Sequence, residues 1–444
     1  MSARTRAADR PGATDLPDAE VLLVDAPDHG SLRPALTGPA ELLAGAGRAR
    51  LADLAGSLAA ELSGHPVRAA VVAATAAEAR ARLRRLAELV DAGETDAFRP
   101  EEGLFLGRRA TPPRIALLFP ARGPRGGSAG AVGRFPAAAD VLRAAGGRDG
   151  QARVVATSLA TARALESLGV RAEVAVGHSL GEFTAFAWAG AVDDERVLAL
   201  AAARDRAMDD AGDGAGGMAV LLTGAERATA LARGERDVVV AGFHSPHQVV
   251  LSGPADALDR VCAAALDDGV PAFRLNAPHA FHTPRVRAAA DAMAEVLAGV
   301  AFAPVTREVV STVTARPVGG AADVRGLLRD QVLAPVRFHQ AAARAIAGAD
   351  LVLEAGPGRA LTDLVAEIDP AARALATETD GPSSVPLLTA VAAAFALGAP
   401  VDGAALFAGR VWSRVRTRLP RADDGLERVV ESCCRPAVRP SAAG

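Results

Sequence analysis

The segment Gly177-His178-Ser179-Leu180-Gly181 joins a short apolar run to an apolar stretch with helical spacing. Glycines on both sides of a serine permit a sharp turn from a strand into a helix, and this turn exposes the serine hydroxyl. The helix that follows would direct its unpaired N–H groups and the positive end of its dipole toward that hydroxyl. An ordinary glycine-rich turn with an exposed serine is the alternative, but the flanking patterns favour a nucleophile on an α/β fold.

The pattern along the chain predicts a large subdomain with a smaller one inserted into it. Strand-like and helix-like segments alternate over residues 113–215 and 279–385, which is typical of a largely parallel sheet with helices on both faces. Between these ranges, residues 216–278 follow the order strand, helix, strand, strand, helix, strand, which predicts a ferredoxin-like small subdomain. The strands expected in the large subdomain are 115–119, 172–177, 307–312 and 350–356.

Further segments flank these subdomains. Residues 19–112 predict a small α/β unit with an amphipathic helix at 78–90, and the unit ends in the proline-bearing segment 103–113, which we interpret as a junction. Residues 1–18 are polar and predict a disordered tail. Residues 386–444 predict one helix followed by a tail rich in arginine, proline and alanine.

Charge and composition exclude several kinds of function. The formal net charge of -3 provides no basic surface of the kind that binds nucleic acid or an anionic membrane, so neither partner is expected. The sequence contains no lysine and no tyrosine. A P-loop lysine, a Schiff-base lysine, a serine–lysine dyad and a tyrosine acid are therefore impossible.

The three cysteines predict neither a metal site nor a disulfide framework. Cys262, Cys433 and Cys434 lack the spacing that either would require. The first residues have no apolar core of the kind found in a signal peptide, and the longest apolar run, 387–397, is shorter than a membrane span. A reducing cytoplasm is the expected location.

A serine needs a general base before it can act as a nucleophile, and the eight histidines are the natural candidates. Four of them, His244, His247, His279 and His282, lie in or beside the inserted subdomain. Sites of α/β proteins are commonly found where such a subdomain meets the carboxyl edge of the sheet. The residues alone do not choose among the four, and each is more often structural than catalytic.

Three motifs resemble a known family. The segments GHSLGE (177–182), HAFHTP (279–284) and LEAGPGRALT (353–362) are similar to those of malonyl-CoA:acyl-carrier-protein transacylases and of the acyltransferase domains of polyketide synthases. The resemblance extends over about 113–375 and is strongest to iterative synthases that make enediyne antibiotics. It implies an α/β-hydrolase-like large subdomain.

The flanking segments resemble parts of the same synthases. Residues 19–112 are similar to the linker between ketosynthase and acyltransferase, and 386–430 are similar to the segment that follows the acyltransferase. The chain is therefore expected to be a piece of a larger synthase with a neighbouring ketosynthase domain. The implied reaction moves a malonyl group from malonyl-CoA through an acyl-serine to the phosphopantetheine thiol of an acyl carrier protein, with no permanently bound cofactor and no metal.

The resemblance also implies roles for the catalytic residues. Ser179 would form the acyl ester, and His282 would act as its base, oriented by the main chain of Gln331. The backbone N–H groups of Leu180 and Arg122 would form the oxyanion hole. Arg122 stands where relatives have glutamine, but a backbone donor survives a change of side chain, and its charge could contact coenzyme A phosphates or the carrier protein.

Four residues are implied to bind the substrate. Arg204 matches the arginine that pairs with the acyl carboxylate, a task for which its two-pronged guanidinium is well suited. His279 and Phe281 belong to the form of the motif that accompanies malonyl specificity, because a bulky ring beside His282 leaves no room for a branched acyl group such as methylmalonyl. His244 stands where relatives have asparagine, and whether it lines the pocket stays open.

Two other functions compete with this interpretation. A serine esterase or thioesterase of the α/β-hydrolase type shares the G-x-S-x-G motif, although the inserted subdomain and Arg204 argue against it. A non-catalytic docking scaffold is a second possibility, and it fits the flanking ranges 19–112 and 386–430 better than the chain as a whole.

Overall fold

The computed structural model describes residues 17–123, 130–211, 214–277, 279–318 and 323–417. Within these ranges the chain forms three sheets, one in the N-terminal unit and one in each subdomain. Residues 1–16 of the tail predicted at 1–18, and Cys433 and Cys434, lie outside the described residues.

The N-terminal unit is an antiparallel sheet packed against helices. Its helices are α1 (His29–Leu42), α2 (Arg48–Ala60) and α3 (Ala76–Asp91), and its strands, β1 (Glu20–Ala26), β2 (Val67–Ala73), β3 (Ala97–Arg99) and β4 (Leu104–Arg108), follow the order β1-β2-β4-β3. The interpretation of 103–113 as a junction is wrong for its first half. Leu104, Phe105 and Leu106 are buried, because β4 pairs with β2 inside the sheet.

The first half of the large subdomain carries the predicted elbow. It contains the strands β5 (Ile115–Phe119) and β6 (Val174–Gly177) and the helices α4 (Pro136–Ala145), α5 (Gly150–Ser167), α6 (Gly181–Trp188) and α7 (Asp194–Asp210). Strand β6 is parallel to β5 and leads directly into α6, as the sequence predicts.

The small subdomain has the predicted order of elements. These are β7 (Gly216–Leu221), α8 (Ala225–Leu231), β8 (Val239–Ser245), β9 (Gln248–Pro254), α9 (Ala255–Asp267) and β10 (Ala272–Leu275). The strands form an antiparallel sheet in the order β10-β7-β9-β8. This is the arrangement of a ferredoxin-like split β-α-β unit, so the prediction is confirmed.

The second half of the large subdomain completes its sheet. It contains α10 (Arg287–Ala298), β11 (Glu308–Ser311), β12 (Arg316–Val318), α11 (Val324–Asp330), α12 (Phe338–Ile346), β13 (Leu351–Glu354), α13 (Ala360–Ile368) and β14 (Ala374–Ala376). The six strands follow the order β12-β11-β6-β5-β13-β14, and all pairs are parallel except β11 with β12. The sequence did not predict the short edge strands β12 and β14.

Both faces of the six-stranded sheet are buried. On one face Leu117 belongs to the same core as Phe183 of α6, and on the other Leu118 belongs to the same core as Phe338 of α12. A strand that is buried on both faces must be apolar at nearly every position. This explains the continuous apolar runs that mark β5 and β13 in the sequence.

The C-terminal segment belongs structurally to the N-terminal unit. Helix α14 (Val385–Ala396) packs against β1, β2 and β4, and also contacts β13 and β14, so it lies between two sheets. Arg68 of β2 secures it by donating from Nη1 to the carbonyl oxygen of Ala399 at 2.6 Å. The short helix α15 (Gly403–Leu406) packs on α2.

The chain then continues along α2. The backbone N–H of Ser413 donates to Asp53 and that of Val415 donates to the hydroxyl of Ser57. At the other end, Asp18 is not part of a disordered tail, because its carboxylate accepts a hydrogen bond from the N–H of Ser384 at 2.9 Å. Across all of the described residues, each helix is too short or too polar to span a membrane.

The contact between β4 and α14 allows a test of this arrangement. A Cβ atom on Gly107 would lie 2.3 Å from the carbonyl oxygen of Ala396. We expect Gly107→Ala to push α14 away from the sheet and to lower the free energy of unfolding by about 1–3 kcal/mol, as overpacking does elsewhere. Denaturant titration measures the loss, and Gly234→Ala is the control, because no atom lies within 4 Å of a Cβ at that position. Equal stability of the two variants would contradict the packing described.

Candidate active site

The turn between β6 and α6 brings backbone segments unusually close together. A Cβ on Gly177 would lie 2.1 Å from the carbonyl carbon of Gly181, and a Cβ on Gly181 would lie 2.0 Å from the carbonyl oxygen of Phe119. Only glycine fits at these two positions. Ser179, between them, has a left-handed φ of 49°, which is strained for a residue with a side chain. This is the geometry of a nucleophile elbow.

Ser179 and His282 form a hydrogen-bonded pair. The serine Oγ lies 3.0 Å from Nε2 of the histidine, and both residues are buried. On the other side of the ring, Nδ1 lies 3.0 Å from the main-chain carbonyl oxygen of Ala334. A carbonyl oxygen only accepts hydrogen bonds, so Nδ1 carries the proton and Nε2 presents its lone pair to the serine. His282 is thus held in the tautomer of a general base.

The main-chain partner of His282 is a neighbour of Gln331 rather than Gln331, the residue that the resemblance implies. The carbonyl oxygen that accepts the hydrogen bond of His282 Nδ1 is that of Ala334, and the main-chain carbonyl of Gln331 acts after it among the influences that raise the pKa of His282. Gln331 is the C-cap of α11, and Ala334 follows three residues later. The side chain of Gln331 instead accepts a hydrogen bond from Nη2 of Arg204 at 3.3 Å.

Arg204 extends from α7 toward the same hydroxyl. The residue is 4% exposed, and its Nη2 lies 3.3 Å from Oγ of Ser179. Its Nη1 donates to Oε1 of Gln151, the second residue of α5, at 2.6 Å. Burial lowers the pKa of Arg204 to about 10, against the opposing influence of Asp205, so the side chain is charged at neutral pH. Arg206, two residues further along the helix, is exposed.

Two further histidines, His178 and His244, form a hydrogen-bonded pair next to the elbow. Nε2 of His178 is 3.0 Å from Nε2 of His244, which reaches the elbow from β8 of the small subdomain. Burial lowers the pKa of His244 to about 4, and the charge of Arg122 acts in the same direction. Burial also lowers the pKa of His178. Both rings are therefore neutral near pH 7, and one donates to the other. The structure thus gives His244 a definite contact, which links the small subdomain to the elbow.

A buried carboxyl group joins the helix after the elbow to a neighbouring strand. Oε1 of Glu182 accepts hydrogen bonds from the hydroxyl of Ser311 at 2.8 Å and from the N–H of Thr312 at 2.6 Å. Burial raises the pKa of Glu182 to about 7. These contacts join the first turn of α6 to the end of β11, so the glutamate of the GHSLGE motif fixes the helix that carries Leu180.

The remaining predicted residues are Arg122, Leu180, His279 and Phe281. Neither the N–H of Arg122 nor that of Leu180 donates a hydrogen bond to another described residue, so both are available as oxyanion donors. The ring of Phe281 lies edge-on to that of His279 with centroids 5.6 Å apart. Phe281 also contacts the cores of both subdomains, which places it at their junction.

Sequence reasoning missed two residues of this site. Gln151 is one glutamine at the start of a helix, and no local pattern distinguishes it from a solvated residue. Ala334 acts through its main chain, which carries no residue-specific signal. Both become recognisable only when the fold brings them to Arg204 and His282.

Known proteins are similar to this chain in sequence and in fold. The family described as acyl transferase domain matches residues 146–367. A crystal structure of the acyltransferase domain of the iterative polyketide synthase in enediyne biosynthesis is 34% identical to this chain, with a TM-score of 0.78 over 89% of this chain and 100% of that one. The chain belongs to the acyl transferase domain family. It is an enzyme of the transferase class, and the two-subdomain architecture is the one expected.

Other relatives match parts of the acyltransferase domain. Polyketide synthase GfsB of Streptomyces halstedii is 35% identical over 279 residues, which are 60% of this chain but only 5% of that protein. The malonyl CoA-acyl carrier protein transacylase of Bacillus subtilis is 29% identical over 49% of this chain and 72% of that protein. The acyltransferase domain therefore spans only a small part of the polyketide synthases that it matches.

The environment of His282 predicts the pH dependence of acylation. Burial, reinforced by the charge of Arg204, lowers the pKa of His282 to about 3. The neutral imidazole is the form that accepts a proton, and it predominates at every pH above this value. We expect initial rates of acyl-serine formation, measured by rapid quench, to show no inflection near the ordinary histidine pKa of about 6.5.

Stability must be followed separately in this experiment. The pKa values of His178, His244 and His282 are all lowered in the folded state, so the unfolded state binds more protons as the pH falls below about 6.5. Folding stability therefore decreases in that range, and rates are read before the protein unfolds. A loss of rate centred near pH 6.5 in protein that is still folded would argue against this base.

Proposed function

We propose that this acyltransferase domain moves a malonyl group from malonyl-CoA to the phosphopantetheine thiol of an acyl carrier protein. The observation that carries the proposal is the position of Arg204. Its buried guanidinium lies 3.3 Å from the nucleophilic oxygen, and its hydrogen-bond partners among the described residues are all neutral. A buried cation is costly without a counter-charge that is hydrogen-bonded to it, and Asp205 acts on Arg204 only through its charge. A carboxylated acyl group on Ser179 would supply that charge.

The first half of the reaction forms the acyl-serine. As Oγ of Ser179 attacks the thioester carbonyl carbon, its proton passes to Nε2 of His282. The N–H groups of Leu180 and Arg122 stabilise the oxyanion of the tetrahedral intermediate. When the carbon–sulfur bond breaks, the coenzyme A thiolate leaves and takes the proton from His282, so the base is neutral again.

The second half reverses these steps with a different thiol. His282 accepts the proton of the phosphopantetheine thiol, and the sulfur attacks the acyl-serine carbonyl. The collapse of the second tetrahedral intermediate returns the proton to Oγ of Ser179. Phe281 and His279, at the junction of the two subdomains, would limit the acyl group to one without a branch, which favours malonyl over methylmalonyl.

The proposed partners follow from the family. Polyketide synthases among the relatives suggest that an acyl carrier protein and a neighbouring ketosynthase domain act with this enzyme. The N-terminal unit, completed by α14, would join it to that neighbour. The three cysteines lack the spacing of a disulfide framework, which supports a reducing cytoplasm as the location of the reaction.

The nucleophile is tested by incubating the protein with malonyl-CoA and measuring its intact mass. Wild-type protein should accumulate a stable malonyl adduct, and Ser179→Ala should form none. His282→Ala should form it about 10²–10⁴-fold more slowly, which is the usual contribution of a general base. Rapid release of coenzyme A without an adduct would indicate a hydrolase, and the absence of any reaction would indicate a docking scaffold.

Arg204 is tested by comparing malonyl-CoA with acetyl-CoA. Arg204→Ala leaves the malonyl carboxylate without a partner, which should cost about 2–5 kcal/mol in malonyl transfer. Acetyl transfer should be unchanged or faster, because the acetyl group has no carboxylate to lose a contact. The preference between donors should therefore invert. Arg206→Ala, an exposed change on the same helix, is the control, and an equal loss with both donors would assign Arg204 a structural role.

A further inference from the structure

We infer that Gln151 is a positioning residue: its amide oxygen anchors Nη1 of Arg204, so that the opposite edge of the guanidinium, formed by Nε and Nη2, is left to hold the acyl carboxylate. This inference rests on the proposed function, since it concerns the substrate that Arg204 would bind.

The contacts of the guanidinium are unequal. Nη1 donates to Gln151 at 2.6 Å, whereas Nη2 has two contacts of 3.3 Å, one to Ser179 and one to Gln331. Nε is buried and has no hydrogen-bond partner among the described residues. A guanidinium binds a carboxylate best through two parallel N–H groups on one edge. With Nη1 occupied, the edge that can serve is the one that carries Nε and Nη2, and Nη2 already faces the nucleophile.

Gln151 is itself held in place by the helix that carries Arg204. Its backbone N–H donates to Oδ2 of Asp205 at 3.1 Å. Gly150 permits this approach, because its φ is 62° and a Cβ there would lie 1.9 Å from the same oxygen. Gln151 therefore contacts two consecutive residues of α7: Arg204 through its side chain and Asp205 through its backbone. The amide oxygen is fixed before any substrate arrives, which is the condition for a preorganised site.

The neutrality of the anchor matters as much as its position. An amide oxygen orients the guanidinium without cancelling its charge, whereas a carboxylate at the same position would form an ion pair with it. Such a pair would already satisfy Arg204 and would repel the carboxylate of the acyl group. Glutamine rather than glutamate at position 151 thus keeps the charge of Arg204 available to the substrate.

Two substitutions separate anchoring from charge. Gln151→Met removes the acceptor at nearly constant size, and we expect kcat/KM for malonyl loading to fall about 10–100-fold, the effect of misplacing a binding group. Gln151→Glu keeps an acceptor but adds a negative charge, and we expect kcat/KM for malonyl loading to fall at least as much. In both variants acetyl loading should fall much less than malonyl loading, so the preference for malonyl over acetyl decreases, because the acetyl group has no carboxylate that depends on Arg204. Gln340→Glu, an exposed change on α12, is the control.

Thermal unfolding distinguishes positioning from a structural role. Gln151→Glu gives the buried Arg204 a counter-charge, so its unfolding midpoint should equal or exceed that of wild type while malonyl loading falls. A lower midpoint together with equal losses for both donors would overturn the inference. So would an unchanged preference for malonyl over acetyl in both variants.

The wild-type protein separates this inference from the proposed function. If wild type loads malonyl and the Gln151 variants keep its donor preference, the inference alone fails. If wild type loads no carboxylated donor, the proposed function fails and the inference with it. A crystal structure of the malonyl-serine enzyme gives the direct result: a carboxylate on Nε and Nη2 with the Gln151 contact intact supports the geometry, and a carboxylate on Nη1 with Gln151 displaced refutes it.

Discussion

The active site depends on the close approach of the first residue of α6 to the end of β5. Gly181 lies so near the carbonyl oxygen of Phe119 that a side chain at this position would be only 2.0 Å from it. Ser179 lies two residues before this contact in the left-handed conformation, with a φ of 49°, and Leu180 is the N-cap of α6. Glu182, one residue further on, fixes the same helix to β11. The turn that carries Ser179 and the helix after it are thus held by this backbone contact and by the hydrogen bonds of Glu182.

Much of the fold follows from local patterns in the sequence. A strand buried on both faces needs a continuous apolar run, and β5, β6 and β13 have one, so their positions were predicted to within a few residues. The alternation in the small subdomain was equally clear. Strands β4 and β14 were missed because each is short and lies in a segment with prolines or charged residues nearby. Their burial depends on neighbours that are distant in the sequence.

The site could be predicted only in part, for a similar reason. The elbow is a local motif, and its resemblance to a family led to His282 and Arg204, which the structure brings to within 3.0 Å and 3.3 Å of Ser179 Oγ. The partners that hold those residues in place come from other elements and act through one amide oxygen or one main-chain carbonyl. The pairing of His178 with His244 is of the same kind. Such contacts depend on three-dimensional packing, which residue type alone does not encode.

Helix α14 has a consequence for how the protein is made. The face of β1 and β2 that it covers is completed by residues 385–396, which a ribosome adds only after the whole catalytic region. Until then an apolar sheet surface stays uncovered in the growing chain, and such surfaces favour aggregation and recruit chaperones. Along the chain, the catalytic region lies between the N-terminal unit and α14. It can fold first and bring these two parts together. Because of this order of synthesis, the folded catalytic region can bring α14 to the N-terminal unit and so complete that unit last.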